Sequence, residues 1–188
     1  MKEFSTKNNF CVFLTQADDL GRVVIPKEIR RTMRIREGDP LEIFTERNGE
    51  VIFKKYSPIG ELGEFAADYA ETLAKTSGIA VVITDKDNVI AVSGAPKKEL
   101  VEKRISEDVE KVLERKSVFV TENSNSDKLL VVDGADKYFA GVVAPIVSEG
   151  DAIGSVIMVS DDNKVNMGEV EKKLCQSAAG FLGKHIEI

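Results

Sequence analysis

The sequence predicts an α+β protein of two domains, one covering residues 1–57 and the other residues 58–188. In the first domain, short β-branched and aromatic runs alternate with turn residues and enclose one short helical segment. In the second, several runs of strand length lie between two longer segments in which apolar residues recur at helical spacing. The dipeptide Ser57-Pro58 separates the two patterns. Strands grouped between terminal helices are typical of the α+β class.

The first domain is predicted to contain four short strands and one short helix. Pro26 ends a β-branched run and suits the first turn of a helix, because the N–H that proline lacks is not needed there. Asn48-Gly49 is a strong signal for a hairpin turn. The predicted strands are residues 11–16, 22–25, 41–45 and 51–56, and the predicted helix is residues 27–33.

The small size of the first domain predicts a homodimer. A domain of this length buries only about 60% of the surface of its unfolded chain and is marginally stable alone. Its short strands also leave edges that need pairing. We therefore expect the strands of two chains to interleave.

The second domain is predicted to be an antiparallel sheet with helices. The helical segment that begins at Ile59 is expected to end at Gly78, and the last helix is expected to begin near Gly168. A further helix is predicted at residues 106–115 and a polar loop at residues 122–128. The predicted strands are residues 79–84, 89–93, 118–121, 129–133, 139–147 and 153–160.

Few residues are available for metal or cofactor chemistry. The chain has one histidine, His185, and two cysteines, Cys11 and Cys175. These cannot form a four-ligand zinc site of cysteine and histidine, and the sequence contains no phosphate-binding loop and no nucleophile elbow. We therefore expect neither a metal ion nor a cofactor.

The sequence also predicts that the protein is not an enzyme and is cytoplasmic. Ser93, Ser155 and Asp133 would need a general base, and a lone helical histidine is more often a surface or packing residue. No apolar run reaches the length of about 18 residues that a membrane-spanning helix needs. The longest N-terminal apolar run, residues 10–14, is too short for a signal peptide.

The charge distribution indicates a localised anion-binding surface. The whole chain has 26 basic and 32 acidic side chains, a net charge of −6, but residues 1–56 carry 11 basic and 9 acidic ones. Between Arg22 and Arg36 there are six basic side chains and a single acidic one, Glu28. A compact basic segment in an acidic protein favours binding of a polyanion at that segment.

Four basic residues follow one another at helical spacing in this segment. Lys27, Arg30, Arg31 and Arg34 stand at i, i+3, i+4 and i+7, which predicts one positive stripe, and Arg22 extends it from a separate element. The stripe could bind nucleic acid. It could also be a solvated face, or be paired with the carboxylates of Asp18, Asp19 or Glu37.

The segment DDLGRVVIPKEIRRT, residues 18–32, closely resembles the AbrB-like swapped-hairpin DNA-binding domain, and the likeness continues through IREGDPLEI, residues 35–43. This resemblance implies a homodimeric, interdigitated β-barrel that binds double-stranded DNA. It places Arg22, Arg30 and Arg31 at DNA-contacting positions, with Lys27 and Arg34 as electrostatic support.

The second domain resembles a GAF domain through residues 145–147 and 150–157, two strands joined by a tight turn. A domain of this kind after an AbrB-like domain resembles a family of sporulation regulators. The resemblance implies a sequence-specific transcription regulator of forespore genes. It also implies a homotetramer formed through the second domain, which would sense an unknown small molecule or drive the assembly; segments 89–93 and 138–142 are the candidate pocket lining.

The chain departs from the AbrB-like family at one pair of positions. The family usually has a basic pair just before the acidic turn, where this chain has Thr15 and Gln16, so we expect fewer phosphate contacts here.

Swapped-hairpin domains also occur in antitoxins, which makes a protein-interaction module with weak DNA binding the alternative function. Antitoxin tails are usually disordered, whereas the chain beyond Ser57 is apolar and periodic.

Overall fold

The computed structural model describes the backbone of residues 4–6, 10–12, 15–121, 129–134, 137–160 and 167–186, and the side chains of all these ranges except the first two. The predicted loop at 122–128 lies outside the described residues. The chain forms two units, Met1–Tyr56 and Ser57–Ile188, which are considered separately below.

The described part of the N-terminal unit contains two small antiparallel strand pairs and one short helix. Its elements are β1 (Phe4–Thr6), β2 (Phe10–Val12), α1 (Lys27–Thr32), β3 (Leu41–Thr45) and β4 (Val51–Lys55). β1 pairs with β2, and β3 pairs with β4, in both cases antiparallel. The turn of the second hairpin contains Gly49, whose φ of 89° suits the glycine of the predicted Asn-Gly turn.

Two predicted strands of this unit need correction. Residues 22–25 do not form a strand within one chain; Val23 makes a single isolated bridge with Ala17, because no further partner strand lies beside it among the described residues. The strand predicted at 11–16 ends at Val12, and Thr15 and Gln16 are not in a strand. Residues 13 and 14 lie outside the described residues.

The described side chains of the N-terminal unit, residues 15–56, form no hydrophobic interior within one chain. None of residues 15–56 is buried. Ile43 and Phe44 lie on opposite faces of β3, and both are exposed, at 62% and 46%. Leu20, Val24 and Val51 are also mostly exposed. Both faces of the β3–β4 hairpin are therefore open to apolar contacts from outside the chain.

The C-terminal unit is built on a five-stranded antiparallel sheet. Its strands are β5 (Ala80–Asp85), β6 (Val89–Ser93), β7 (Phe119–Val120), β8 (Phe139–Ser148) and β9 (Asp151–Ser160), in the order β6-β5-β9-β8-β7. The long β8–β9 hairpin turns at Glu149 and Gly150, which both have positive φ as a type I′ turn requires. Lys116 Nζ donates to the carbonyl oxygen of Gly150 and lies 3.1 Å from Asp151 Oδ1, so the turn is held from outside the hairpin.

Helices cover both faces of this sheet. They are α2 (Pro58–Glu61), α3 (Gly63–Ser77), α4 (Lys97–Leu100), α5 (Glu107–Arg115) and α6 (Glu169–Ile186). α2, α3 and α6 enclose one core and α4 and α5 the other. Neighbouring strand residues such as Val142 and Val143 are buried in opposite cores, so the strands are apolar on both faces. The predicted α+β class is confirmed.

Three details of the second domain differ from the prediction. The first helix is divided at Leu62 into α2 and α3. Residues 129–133 make only isolated bridges, Leu130 with Phe139 and Ile105 with Val132, because they cross over the α5 side of the sheet instead of extending it. The four-residue helix α4 was not predicted. The predicted helix ends are confirmed at Gly78, which is left-handed with φ 71°, and at Ser106, whose hydroxyl accepts from the Val109 N–H.

Candidate nucleic-acid interface

The turn that precedes α1 is built around the side chain of Asp18. Its Oδ1 accepts the backbone N–H groups of Leu20 at 3.0 Å and of Arg22 at 2.7 Å. Two backbone hydrogen bonds close the same turn. The N–H of Asp18 donates to the carbonyl oxygen of Arg22 at 3.0 Å, and the N–H of Gly21 donates to the carbonyl oxygen of Asp18. Gly21 has a φ of 77°, a conformation that glycine adopts without strain.

Arg22 is paired with Asp18, as the alternative interpretation of the basic segment allowed. Arg22 Nε donates to Asp18 Oδ2 at 2.7 Å, while 73% of the Arg22 side chain remains exposed. The backbone N–H of Arg22, and next its guanidinium, hold the pKa of Asp18 below its ordinary value of 3.8. Arg22 therefore sits beside a carboxylate but is still accessible from outside.

The three helical cations of α1 lie along one exposed stripe. Lys27, Arg30 and Arg31 occupy positions i, i+3 and i+4, and all three are exposed. None of them forms an ion pair with another residue in the described part of the chain. Arg30 and Arg31 lie in the last turn of the helix, where a positive charge interacts favourably with the helix dipole.

Arg34 does not continue this stripe, which corrects the predicted i+7 position. The helix ends at Thr32, and Arg34 is left-handed with a φ of 49°. The N–H of Ile35 donates to the Arg30 carbonyl and the N–H of Arg34 to the Arg31 carbonyl, which together form a Schellman motif. A left-handed residue leaves the helical path, so the Arg34 side chain, which is half-buried, leaves the line of Lys27 and Arg31.

The end of α1 leaves Met33 largely exposed. Ile29 and Met33 stand four positions apart, but Ile29 is half-buried whereas Met33 is 51% exposed in the single chain. The end of the helix is instead held by β4. Lys55 Nζ donates to the Arg34 carbonyl at 3.0 Å and lies 3.4 Å from Asp39 Oδ2, which also accepts the N–H of Arg36.

Thr15 and Gln16, which replace the expected basic pair, are exposed beside this turn. Thr15 Oγ1 donates to the carbonyl oxygen of Val24 at 3.0 Å, so the hydroxyl links the segments on either side of the Asp18 turn. The acidic turn was expected from the sequence, but the organising role of the Asp18 side chain was not. An aspartate three residues before a glycine is a turn signal that could have indicated it.

The candidate pocket segments of the second unit are mostly apolar. The candidate pocket segments 89–93 and 138–142 contribute Val89, Val92, Tyr138 and Ala140 to the apolar core on the α4–α5 side. Ser155 is fully buried and hydrogen bonded to Thr84, and the His185 ring stacks on Phe65. Among the described residues, no cluster of three or more Cys, His, Asp or Glu could hold a metal ion. No helix in the described ranges combines the length and apolarity needed to cross a membrane.

Comparison with known proteins gives matches for both units. Residues 61–187 match the family model described as "Stage V sporulation protein T C-terminal, transcription factor". Residues 14–60 match the model described as "Antidote-toxin recognition MazE, bacterial antitoxin". The chain is 54% identical over 43 residues to transition state regulatory protein AbrB of Bacillus subtilis, which is 23% of this chain and 44% of AbrB.

One relative matches nearly the whole chain. Stage V sporulation protein T of Bacillus subtilis is 53% identical over 171 residues, 90% of this chain and 94% of that protein. Among solved structures, the GAF domain of an Acinetobacter phosphoenolpyruvate-protein phosphotransferase aligns with a TM-score of 0.56 at 14% identity, covering 71% of this chain and 84% of that domain. The second unit has the predicted GAF fold. The chain belongs to the stage V sporulation protein T family.

Proposed function

We propose that this protein is a sequence-specific DNA-binding transcription regulator of sporulation genes, in which residues 1–57 bind DNA and residues 58–188 control assembly. The observation that carries the proposal is the stripe of Lys27, Arg30 and Arg31, exposed and without a carboxylate partner among the described residues. Uncompensated cations on one face attract phosphates, and arginine can also bind guanine edges bidentately. Family membership supports the same function.

Dimerisation through the first domain supports this function further. Residues 15–56 expose apolar side chains on both faces of β3–β4 and bury none, so the unit gains its interior from a second copy. Each copy then brings one basic stripe and one Asp18 turn. Two symmetric stripes can contact two half-sites of one duplex.

The proposal is tested by measuring DNA binding of the full chain at rising salt. The probe is a duplex enriched on the wild-type chain from a random 30-bp library. Arg30→Ala with Arg31→Ala should weaken binding by at least about a hundredfold and flatten the salt dependence, since each phosphate contact contributes about 0.9 to its slope. Binding indifferent to these changes would falsify the assignment.

A matched control removes two positive charges elsewhere. Lys97 and Lys98 are exposed in α4 of the second unit. Lys97→Ala with Lys98→Ala alters the net charge by the same amount as the arginine double variant. It should leave the slope and the affinity close to wild type, which separates the basic stripe from the total charge of the molecule.

An exposed aromatic face on the second domain supports the tetramer assembly that we propose. On α3 and α6 an aromatic row, Phe65, Tyr69, Phe181 and His185, stacks ring on ring with centroids 4.7 to 6.1 Å apart. Phe181 is 48% exposed and Val170, three turns away on the same face of α6, is 67% exposed. Two such faces packed together would join two dimers. A small-molecule effector would act by changing this assembly.

The antitoxin alternative rests on the MazE match of residues 14–60. An antitoxin of this type uses a flexible tail to bind its toxin, whereas here the segment after Ser57 enters α2 at once and buries Ile59 completely. We therefore rank DNA-dependent regulation first. Stoichiometric co-purification of a small endoribonuclease with the full chain, from a spore-forming host, would reverse the order.

A further inference from the structure

Asp18 makes more contacts with Arg22 than a turn requires. Its Oδ1 accepts the N–H groups of Leu20 and Arg22, which is sufficient to hold the turn. Its second oxygen, Oδ2, accepts from Arg22 Nε at 2.7 Å, a short, charge-assisted bond. One carboxylate therefore fixes both the backbone of Arg22 and the plane of its guanidinium group.

Resting on the proposed function, we propose that Asp18 is a positioning residue that presents Arg22 to a base edge and thereby determines which DNA sequence the protein prefers. The bond to Asp18 uses Nε and leaves the two terminal nitrogens of the guanidinium, the pair that binds guanine O6 and N7 together. The Arg22 side chain makes no other hydrogen bond with a described residue and is 73% exposed, so this edge is accessible.

The charge balance separates Arg22 from the helical cations. Together, Arg22 and Asp18 carry no net charge, and the pair adds little to the general attraction between protein and phosphates. Lys27, Arg30 and Arg31 have no such partner in the described part of the chain. The α1 cations thus supply affinity for any duplex. Arg22, ordered before binding, supplies discrimination between sequences.

Asp18→Asn is the variant that separates the two roles of the carboxylate. An asparagine side chain keeps an oxygen that can accept the two backbone N–H groups, as asparagine does in similar turns. It loses the second charged oxygen that holds Arg22 Nε. Asp19→Asn is the matched control, because Asp19 is an exposed neighbour in the same turn and its replacement removes the same charge.

The experiment measures the affinity of the full chain for two probes, the library-enriched duplex and a scrambled duplex of the same composition. Asp18→Asn should lower the ratio of the two affinities about tenfold, since one bidentate base contact discriminates by about that factor. Affinity for the scrambled duplex should stay level or rise. Asp19→Asn should raise both affinities together and leave their ratio unchanged.

A second comparison, made in the Arg22→Ala variant, distinguishes the proposed role of Asp18 from an effect on folding. In Arg22→Ala, adding Asp18→Asn should change the ratio no further, because Asp18 acts through Arg22. The proposal is overturned if Asp18→Asn behaves like Asp19→Asn, if it lowers both affinities in parallel with a lower melting temperature, or if its effect persists without Arg22. If the wild-type chain enriches no duplex at all, it is the proposed function that fails.

Discussion

The hydroxyl groups of Thr84 and Ser155 form a 2.7 Å hydrogen bond between two fully buried side chains of the C-terminal unit. The two residues are directly paired across β5 and β9. The sheet around them is apolar on both faces, with Ile83 and Val156 next to them in the chain. A buried hydroxyl group needs a hydrogen-bond partner, and each of these two side chains supplies that partner to the other.

This pair should show strong coupling in a double-mutant cycle. Thr84→Val keeps the shape but leaves the Ser155 hydroxyl without its partner, and should lower the free energy of unfolding by about 1–3 kcal/mol. Adding Ser155→Ala should recover part of that loss, because the orphaned hydroxyl is removed. Urea unfolding followed by circular dichroism measures both. Losses that simply add would show that the hydrogen bond does not couple the two residues.

Two glycines of α6 should respond oppositely to alanine. A Cβ on Gly183 would collide with the carbonyl oxygen of Val147, which is backbone and cannot move aside, whereas a Cβ on Gly180 would meet nothing. We expect Gly183→Ala to cost about 1–3 kcal/mol of stability and Gly180→Ala to gain about 0.5–1 kcal/mol from its better helix propensity. Thermal unfolding of the two variants side by side checks the signs. Equal shifts would contradict the close packing of α6 on β8.

Cys175 should be chemically inert in the folded protein. Burial, which disfavours the thiolate, raises the pKa of its thiol to about 12 from an ordinary 9.0. In the Cys11→Ser variant, a thiol reagent should therefore label the chain only after unfolding. The folded state keeps a proton that the unfolded state loses, so Cys175 should also reduce stability as the pH rises from 9 towards 12. Rapid labelling of the native variant at pH 8 would contradict this burial.

The aromatic row should determine the size of the assembly. Phe181→Asp places a charge among the rings of Phe65, Tyr69 and His185, and should convert the proposed tetramer into a dimer that still pairs through the first domain. Gln176→Asp adds the same charge at an exposed position on another face of α6 and is the control. Light scattering coupled to gel filtration gives the masses. An unchanged mass for Phe181→Asp would exclude this face as the contact.

The sequence predicted the elements whose signals are local and strong. Gly78 and Ser106 end and begin helices as expected, because a left-handed glycine and a serine cap act within one turn. The two long strands of the β8–β9 hairpin were also found, each with a one- or two-residue difference at the ends. These elements depend little on distant contacts.

The errors fall where local signals compete with tertiary contacts. The left-handed position that ends α1 is usually a glycine, but here it is Arg34, so nothing in the sequence indicated it. The side chain of Lys55 in β4 holds that end of the helix. The β-branched residues 22–25 have the composition of a strand but lack a partner strand in one chain. Helix α4 is too short to show a period. At the candidate site, the spacing of the basic residues identified the cations of α1, whereas the ion pair between Asp18 and Arg22 was seen only in the structure.

The missing interior of residues 15–56 has a genetic consequence. If the first domain is complete only when two polypeptides share it, a cell that makes an intact and a damaged version will mix them in the same particle. An allele that replaces the α1 arginines but leaves the apolar β3–β4 hairpin unchanged should then be dominant, because each altered subunit inactivates the intact subunit with which it pairs. An allele that replaces Ile43 or Phe44 should be less dominant, because its first domain cannot form a mixed pair with that of an intact subunit.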